Sequence, residues 1–140
     1  MNADQIIARL QLEPHPEGGH YRQTWAADNP GRASATCIHF LLRAGEVSHW
    51  HKVDAAEIWL WHAGAPLILS LSETEKGPAR ERLLSPDLDA GAPQIVIPPH
   101  HWQAARSMGD WTLVSCVVSP GFRFDGFTLA PPGFDIARGP

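Results

Sequence analysis

Apolar and polar residues alternate in short segments along most of the chain, which predicts a fold of many strands. Residues 67–72 (LILSLS) place leucine at every second position, the period of a strand with one buried face. Residues 34–44 (SATCIHFLLRA) are almost continuously apolar, which is typical of a strand buried on both faces. About ten such segments follow one another at intervals of about 8–12 residues, separated by turn-forming residues.

Only the first ten residues follow a helical pattern. Ile6, Ile7 and Leu10 recur at a spacing of three or four residues, and Asn2 can cap the helix that they predict. Residues 12–19 (LEPHPEGG) then end it with two prolines and a glycine pair. Because the sequence contains neither a repeat nor a linker, residues 1–140 are expected to form a single all-β domain of the sandwich, barrel or jelly-roll type.

Composition and charge exclude some classes of binding partner. The 140 residues carry a formal net charge of −4 and no run of five basic residues, which argues against a nucleic-acid partner. No apolar run approaches the roughly 20 residues of a membrane helix. The first residues lack the basic and apolar regions of a signal peptide. We therefore expect a cytoplasmic protein that binds neither nucleic acid nor membrane.

Histidine supplies the main candidate chemistry, with eight residues in the chain. His49 and His51 are two positions apart on a predicted strand, so their side chains are expected to share one face. Glu57 begins the next strand, and a hairpin would return it beside the pair. Two imidazoles and a carboxylate can hold a divalent metal with open positions, and this set suits Zn, Ni, Fe or Mn. The alternative is a wet, polar pocket without a metal.

Other residues are candidates for catalysis or substrate binding. Tyr21 and His39 can act as an acid/base pair if both face inward. Two arginines can hold an anionic substrate through charge-assisted hydrogen bonds, or simply be solvated at the surface. Glu17 precedes a glycine pair that forms either an anion-binding nest or a plain tight turn. The predicted substrate-binding residues are Glu17, Arg22, Trp50, His101 and Arg106.

Two segments resemble the motifs of the cupin superfamily. Residues 45–64 (GEVSHWHKVDAAEIWLWHAG) are similar to the first cupin motif, with the H-x-H pair followed by Glu57 and, seven positions later, Gly64. Residues 92–103 (APQIVIPPHHWQ) resemble the second motif, with Pro98 in place. His100 stands where that motif usually has glycine, and Gln103 stands where it usually has a metal-binding histidine. The resemblance thus implies a metal set of His49, His51 and Glu57, with Gln103 as a weaker fourth ligand.

Longer stretches resemble one subfamily of small bacterial and fungal cupins without an assigned function. The likeness spans roughly residues 10–134 and rests on PHPEGGHYRQTW, EIWLWHAGAPL and HHWQAARSMGDWTLVSCVVSPGFRFDGFTL. It implies a double-stranded β-helix, the cupin or jelly-roll barrel, and a homodimer, which would also cover exposed sheet edges. The subfamily is structurally similar to deoxysugar epimerases, although a shared fold does not transfer an activity.

Three functions follow as hypotheses. The first is a small-molecule-binding cupin, with a divalent metal that helps it act as an enzyme on a polar or anionic metabolite. The second is a metal-free isomerase or epimerase in which His51 is the base and Tyr21 the acid. The third is a sensor that binds a ligand without changing it.

Overall fold

One short helix and a succession of strands carry the chain, as the alternation of residues predicts. The computed structural model describes residues 1–139, and none of the helices there is long and apolar enough to span a membrane. The helix α1 is Ala3–Leu10, and a 3-10 turn covers Phe124–Gly126. The strands are β1 Glu13–Pro14, β2 His20–Ala26, β3 Thr36–Arg43, β4 Val47–Val53, β5 Ala56–Gly64, β6 Leu67–Ser72, β7 Arg80–Leu84, β8 Gln94–Ile97, β9 Trp102–Ser107, β10 Trp111–Ser119 and β11 Phe127–Leu129.

The strands form two antiparallel sheets whose inner faces enclose the core. One sheet has the order β1-β2-β3-β10-β5-β8 and the other β11-β4-β9-β6-β7. Phe40, Trp59 and Val114 of the first sheet pack with Leu69 and Ala105 of the second, and all five are almost fully buried. This two-sheet arrangement confirms the expected all-β class and is consistent with a jelly-roll barrel.

The helix α1 covers part of the outer face of the first sheet. Asn2 and Gln5 cap it reciprocally, each side chain accepting a hydrogen bond from the backbone N–H of the other at 2.9 Å. Ile6 packs against Leu41, which points outward from β3 yet is fully buried beneath the helix. The apolar run of residues 34–44 is therefore buried on both faces at Leu41, as its pattern predicts, whereas Cys37 and His39 on the outer face are partly exposed.

A bulge in β4 changes which residues of that strand face the core. Ser48 pairs with Ala105, and the next pair joins His51 to Gln103, so three steps along β4 match two along β9. The extra residue reverses the side-chain alternation, and Ser48 and His51 lie on the same inner side. The expectation that His49 and His51 share a face is wrong for this reason.

The C-terminal segment covers the outer face of the second sheet. Trp50 and Trp102 are buried there together with Ile136, and Phe134 packs on Trp102. The indole N–H of Trp50 donates to Asp135 Oδ1 at 2.8 Å. This cover gives the outward-facing aromatic residues of β4 and β9 an apolar environment.

Candidate functional site

A cavity of about 220 Å³ opens between the two sheets and is closed on one side by two loops. One loop precedes β2 and supplies His15 and Glu17. The other follows β10 and supplies Phe122 and Phe124, with Phe127 at the start of β11. The cavity combines polar groups from the first loop and the strands with apolar groups from the second. Its lining residues are His15, Glu17, Tyr21, Gln23, Thr36, Ile38, His51, Val53, Glu57, Val118, Phe122, Phe124 and Phe127.

Gly18 brings the first loop close enough to β4 for Glu17 to enter the cavity. Its backbone has a φ of 112°, which glycine adopts far more readily than other residues, and its N–H donates to the His15 carbonyl at 3.0 Å. The Glu17 carbonyl accepts from the His49 N–H at 2.8 Å, which ties the loop to β4. A side chain at position 18 would meet the carbonyl oxygen of Val47. The glycine pair therefore forms a tight turn that presents Glu17.

We expect Gly18→Ala to cost about 2 kcal/mol or more of the free energy of unfolding, since it combines backbone strain with a clash. Chemical denaturation measures this loss. Gly31→Ala is the matched control, because Gly31 also has a positive φ of 75° but an added Cβ there meets open space. A Gly18→Ala variant no less stable than Gly31→Ala would contradict this account of the loop.

Glu17 is held by hydrogen bonds that fit a protonated carboxyl group. The Glu17 N–H donates to Nδ1 of His15 at 3.1 Å, so that nitrogen carries a lone pair, and it lies 3.2 Å from Glu17 Oε1. A carboxylic O–H can donate to this lone pair, whereas a carboxylate would oppose it. The hydroxyl of Ser48 donates to the other oxygen, Oε2. Burial raises the pKa of Glu17 to about 8, which keeps it neutral at pH 7.

His51 is buried with one ring nitrogen committed to the protein. Its Nδ1 lies 2.7 Å from the His49 carbonyl, which only accepts, so Nδ1 carries the hydrogen. The same nitrogen lies 3.3 Å from Glu17 Oε2. Among residues 1–139, Nε2 has no hydrogen-bond partner. Burial lowers the pKa of His51, so its ring is neutral at pH 7 and Nε2 is a base at the cavity wall.

His15 is also uncharged at pH 7, for the same physical reason as His51. Burial, assisted by repulsion from His51, lowers the pKa of His15 to about 4. The ring is therefore neutral at pH 7, and because Nδ1 holds the lone pair, Nε2 holds the hydrogen. The two imidazoles thus have opposite tautomers, one set by a backbone acceptor and the other by a backbone donor.

Glu57 is oriented by a buried chain of hydrogen bonds. The indole N–H of Trp59 donates to Oε1 of Gln103 at 2.8 Å, which fixes the direction of the amide. The Gln103 Nε2 then donates to Oε1 of Glu57 at 2.9 Å. Burial is the main cause that raises the pKa of Glu57 to about 7, and the nearby Glu17 adds to it. Glu57 is close to half ionised at pH 7, so the charge of a ligand can decide its state.

Tyr21 and three phenylalanines form the remaining wall. The Tyr21 ring packs edge-on against His15 with 4.4 Å between ring centroids, and burial raises the pKa of its phenol, which therefore stays protonated. Phe122, Phe124 and Phe127 contact one another with centroids 4.9–6.0 Å apart. The cavity is thus polar on one side and aromatic on the other.

The structure brings four of the sequence-predicted residues together at the cavity: Glu17, Tyr21, His51 and Glu57. Others lie elsewhere. His39 is on the outer face of β3, where its ring lies 6.2 Å from that of His62. Arg22 is exposed, and His101 lines a separate groove beside β7 and β8. A third cavity, between β4 and the C-terminal segment, is lined by His49, Trp50 and Arg106.

The expected metal ligands do not converge on one point. His49 Nε2 lies 3.0 Å from the Pro131 carbonyl, away from His51. The Gln103 oxygen already accepts from Trp59, and its nitrogen donates to Glu57, so this amide offers no free ligand atom. Within residues 1–139, no group of three or more His, Cys, Asp or Glu side chains is arranged to hold a metal ion. The donor set that the cupin motifs imply therefore does not fit a metal here.

Sequence reasoning missed His15 and the aromatic wall. His15 lies in a proline- and glycine-rich loop, and no periodicity shows where such a loop folds. The phenylalanines follow the last long strand in SPGFRFDGF, and the concentration of three large apolar rings in a turn-rich segment was the one signal that pointed to them. Gln23 and Thr36 were also missed, although period two from Tyr21 and Ile38 places them inward.

Comparisons with known proteins agree with this fold. A protein from Shewanella oneidensis with a known crystal structure is 41% identical, with a TM-score of 0.87 over 93% of this chain and 85% of that chain. A hypothetical protein from Leishmania major is 28% identical, with a TM-score of 0.87 over 96% and 90% of the two chains. Oxalate decarboxylase from Bacillus subtilis is 14% identical, with a TM-score of 0.64 over 84% of this chain and 29% of that one, a likeness of fold alone. No curated protein matches the chain.

A match to a family model identifies the family of the chain. The model described as Cupin superfamily (DUF985) matches residues 4–130, which is nearly the whole length. The match confirms the resemblance carried by the two histidine-containing motifs and by the longer segments around them. The chain therefore belongs to the DUF985 family of the cupin superfamily.

Proposed function

We propose that this cupin is an acid–base enzyme that moves a proton on a small molecule, as an isomerase or epimerase does. The proposal rests on the protonation state and hydrogen bonding of His51. Its Nδ1–H is donated to the His49 carbonyl, and its unpaired Nε2 faces a cavity that also holds Tyr21 and two protonatable carboxyl groups. Groups whose pKa values are shifted in opposite directions within one pocket are typical of acid–base sites.

Each residue has a distinct part in the proposed reaction. His51 Nε2 removes a proton from a carbon next to a carbonyl group, and the positive charge that forms is spread to the His49 carbonyl and Glu17 through Nδ1–H. The Tyr21 phenol returns a proton to the substrate carbon. After the product leaves, exchange with solvent removes the proton from His51 and restores the one on Tyr21. Glu17 orients the His15 ring through a hydrogen bond and contacts the His51 ring at 3.3 Å, and Gln103 holds Glu57 in place. The phenylalanines keep water from the reacting carbon.

The small volume limits the substrate. A cavity of about 220 Å³ lies below the roughly 300–1,000 Å³ of most small-molecule sites. We expect a compound of a few carbon atoms rather than a nucleotide or a sugar nucleotide. The deoxysugar epimerases, to which the sequence resemblance points, therefore guide the type of reaction here and not the choice of substrate.

Deuterium exchange tests the proposal even though neither substrate nor product is identified. The protein is incubated in D₂O with a panel of small carbonyl compounds and amino acids, and NMR follows loss of the proton next to the carbonyl. We expect exchange for at least one compound, unchanged after treatment with a chelator, because side chains carry the protons. Exchange that stops with the chelator and returns with Zn, Ni, Fe or Mn would favour the metal-dependent hypothesis. Compounds that bind but never exchange would favour a sensor.

A further inference from the structure

The three phenylalanines at the cavity form a cluster of steeply inclined rings, which we call the phenylalanine box. The ring planes of Phe122 and Phe124 meet at 85°, those of Phe124 and Phe127 at 84°, and those of Phe122 and Phe127 at 62°. Rings that stand nearly at right angles cannot all stack on a flat ligand. All three rings line the cavity, and the faces of aromatic rings attract an organic cation.

The charged groups of the cavity also favour a positively charged ligand. Glu17 and Glu57 lie in its wall, and none of its lining residues within the described part of the chain is a lysine or arginine. Arg22 and Arg106, the residues that suggested an anionic substrate, lie outside it. An anion would therefore meet carboxyl groups and aromatic faces without a cationic partner.

One polar atom of the cavity wall has no hydrogen-bond partner within the described part of the protein. His51 is 2% exposed, and its Nε2 is an acceptor without a partner among residues 1–139. A bare hydrocarbon cation that covered this atom would leave it unpaired in the complex, which costs free energy. A hydroxyl group on the ligand would donate to it.

We propose that the cavity binds a small alkylammonium cation that carries a hydroxyl group, with the ammonium in the phenylalanine box and the hydroxyl toward His51. Glu57 is the counter-ion. The inference rests on the cavity of the proposed function and names the class of ligand that this cavity selects. A substrate of the proposed proton transfer is a cation of this class with a carbonyl group, whose reacting C–H takes the place of the hydroxyl at His51 Nε2. It replaces the anionic metabolite that the arginines suggested.

Three probes of nearly equal shape and different charge test the inference. Choline is the cation, 3,3-dimethyl-1-butanol is its neutral isostere, and 3,3-dimethylbutyrate is the matching anion. Titration followed by NMR or calorimetry measures the dissociation constant of each. We expect choline to bind at least about 10-fold more tightly than the neutral alcohol and the anion not to bind detectably. Equal or tighter binding of the neutral alcohol would overturn the inference.

Single substitutions test which residues cause the preference for a cation. Phe124→Leu keeps an apolar side chain but removes one aromatic face, and because Phe124 is 53% exposed the fold should tolerate it. We expect the ratio of choline to alcohol affinity to fall at least about 3-fold in Phe124→Leu and in Glu57→Gln, with alcohol affinity nearly constant. Phe134→Leu, in the third cavity, is the matched control and should leave the ratio unchanged. A ratio that does not move in either cavity variant would contradict the proposed box.

The two proposals fail in different experiments. If exchange depends on His51 while the cation and the neutral alcohol bind equally, the cation inference is wrong and the acid–base site stands. If choline is preferred but no compound exchanges, the cavity is a cation-binding site and the enzyme proposal is wrong.

Discussion

His51→Ala is expected to reduce deuterium exchange by roughly 10²- to 10⁴-fold, the usual contribution of a general base. The side chain is the only described imidazole in the cavity with an unpaired ring nitrogen that accepts a proton, because His15 Nδ1 is occupied by the Glu17 N–H. The measurement is the NMR exchange rate of a compound that the wild type turns over. His51→Gln should lose the rate to a similar extent, because its amide is not a base at neutral pH.

Two other histidines provide controls for this substitution. His62 is exposed on the outer face of the first sheet, where its Nε2 lies 2.6 Å from the Ser115 hydroxyl, and His49 lines the third cavity. We expect His62→Ala and His49→Ala to keep the rate within about 3-fold of wild type, which is small beside the contribution of a base. An equal loss in all three variants would point to a general effect on the fold. An unchanged rate in His51→Ala would remove His51 from the mechanism.

Glu17→Gln is expected to raise the melting temperature at about pH 8.5 by roughly 5 °C, with a smaller gain at about pH 5. The pKa of Glu17 is about 8 in the folded protein against an ordinary 4.5. The folded state thus holds a proton that the unfolded state releases. The resulting stabilisation is complete below pH 4.5 and is lost as the pH rises through 8. Glutamine keeps the neutral hydrogen bonds to Ser48 and His15 without this loss.

Glu13→Gln is the matched control, since Glu13 is exposed on β1. Its melting temperature should follow that of the wild type at both pH values. A Glu17→Gln protein destabilised more at about pH 8.5 than at about pH 5 would show that the buried carboxyl is ionised.

The fold could be predicted from the sequence because buried and exposed side chains alternate strictly along a strand. The alternation in residues 67–72 and the continuous apolar run of 34–44 each identify a strand and its buried faces. Asn2 and the spacing of Ile6 and Leu10 likewise identify the helix. These signals are local, and the two-sheet arrangement follows from them together with the cupin motifs.

The site was less predictable because it depends on a shift of strand register and on long-range contacts, and neither leaves a local pattern in the sequence. The bulge in β4 adds one residue, which turns His49 outward and leaves only His51 inside. Gln103 occupies the position of a metal ligand in the motif, yet the Trp59 indole takes its oxygen. Glu17 and Tyr21 reach the cavity because Gly18 folds the loop onto β4. None of these contacts joins residues that are near one another in the sequence.

The most direct test of the acid–base site is to measure its protonation states by NMR without any ligand. Protein labelled with ¹³C in glutamate and ¹⁵N in histidine is titrated, and the Glu17, Glu57 and His51 signals are assigned with the Gln and Ala variants. The site predicts that Glu17 titrates near pH 8, that Glu57 titrates near pH 7, and that His51 at pH 7 is neutral with its hydrogen on Nδ1. Titration of both carboxyl groups near the ordinary 4.5, or a His51 that is charged or carries its hydrogen on Nε2 at pH 7, would contradict it.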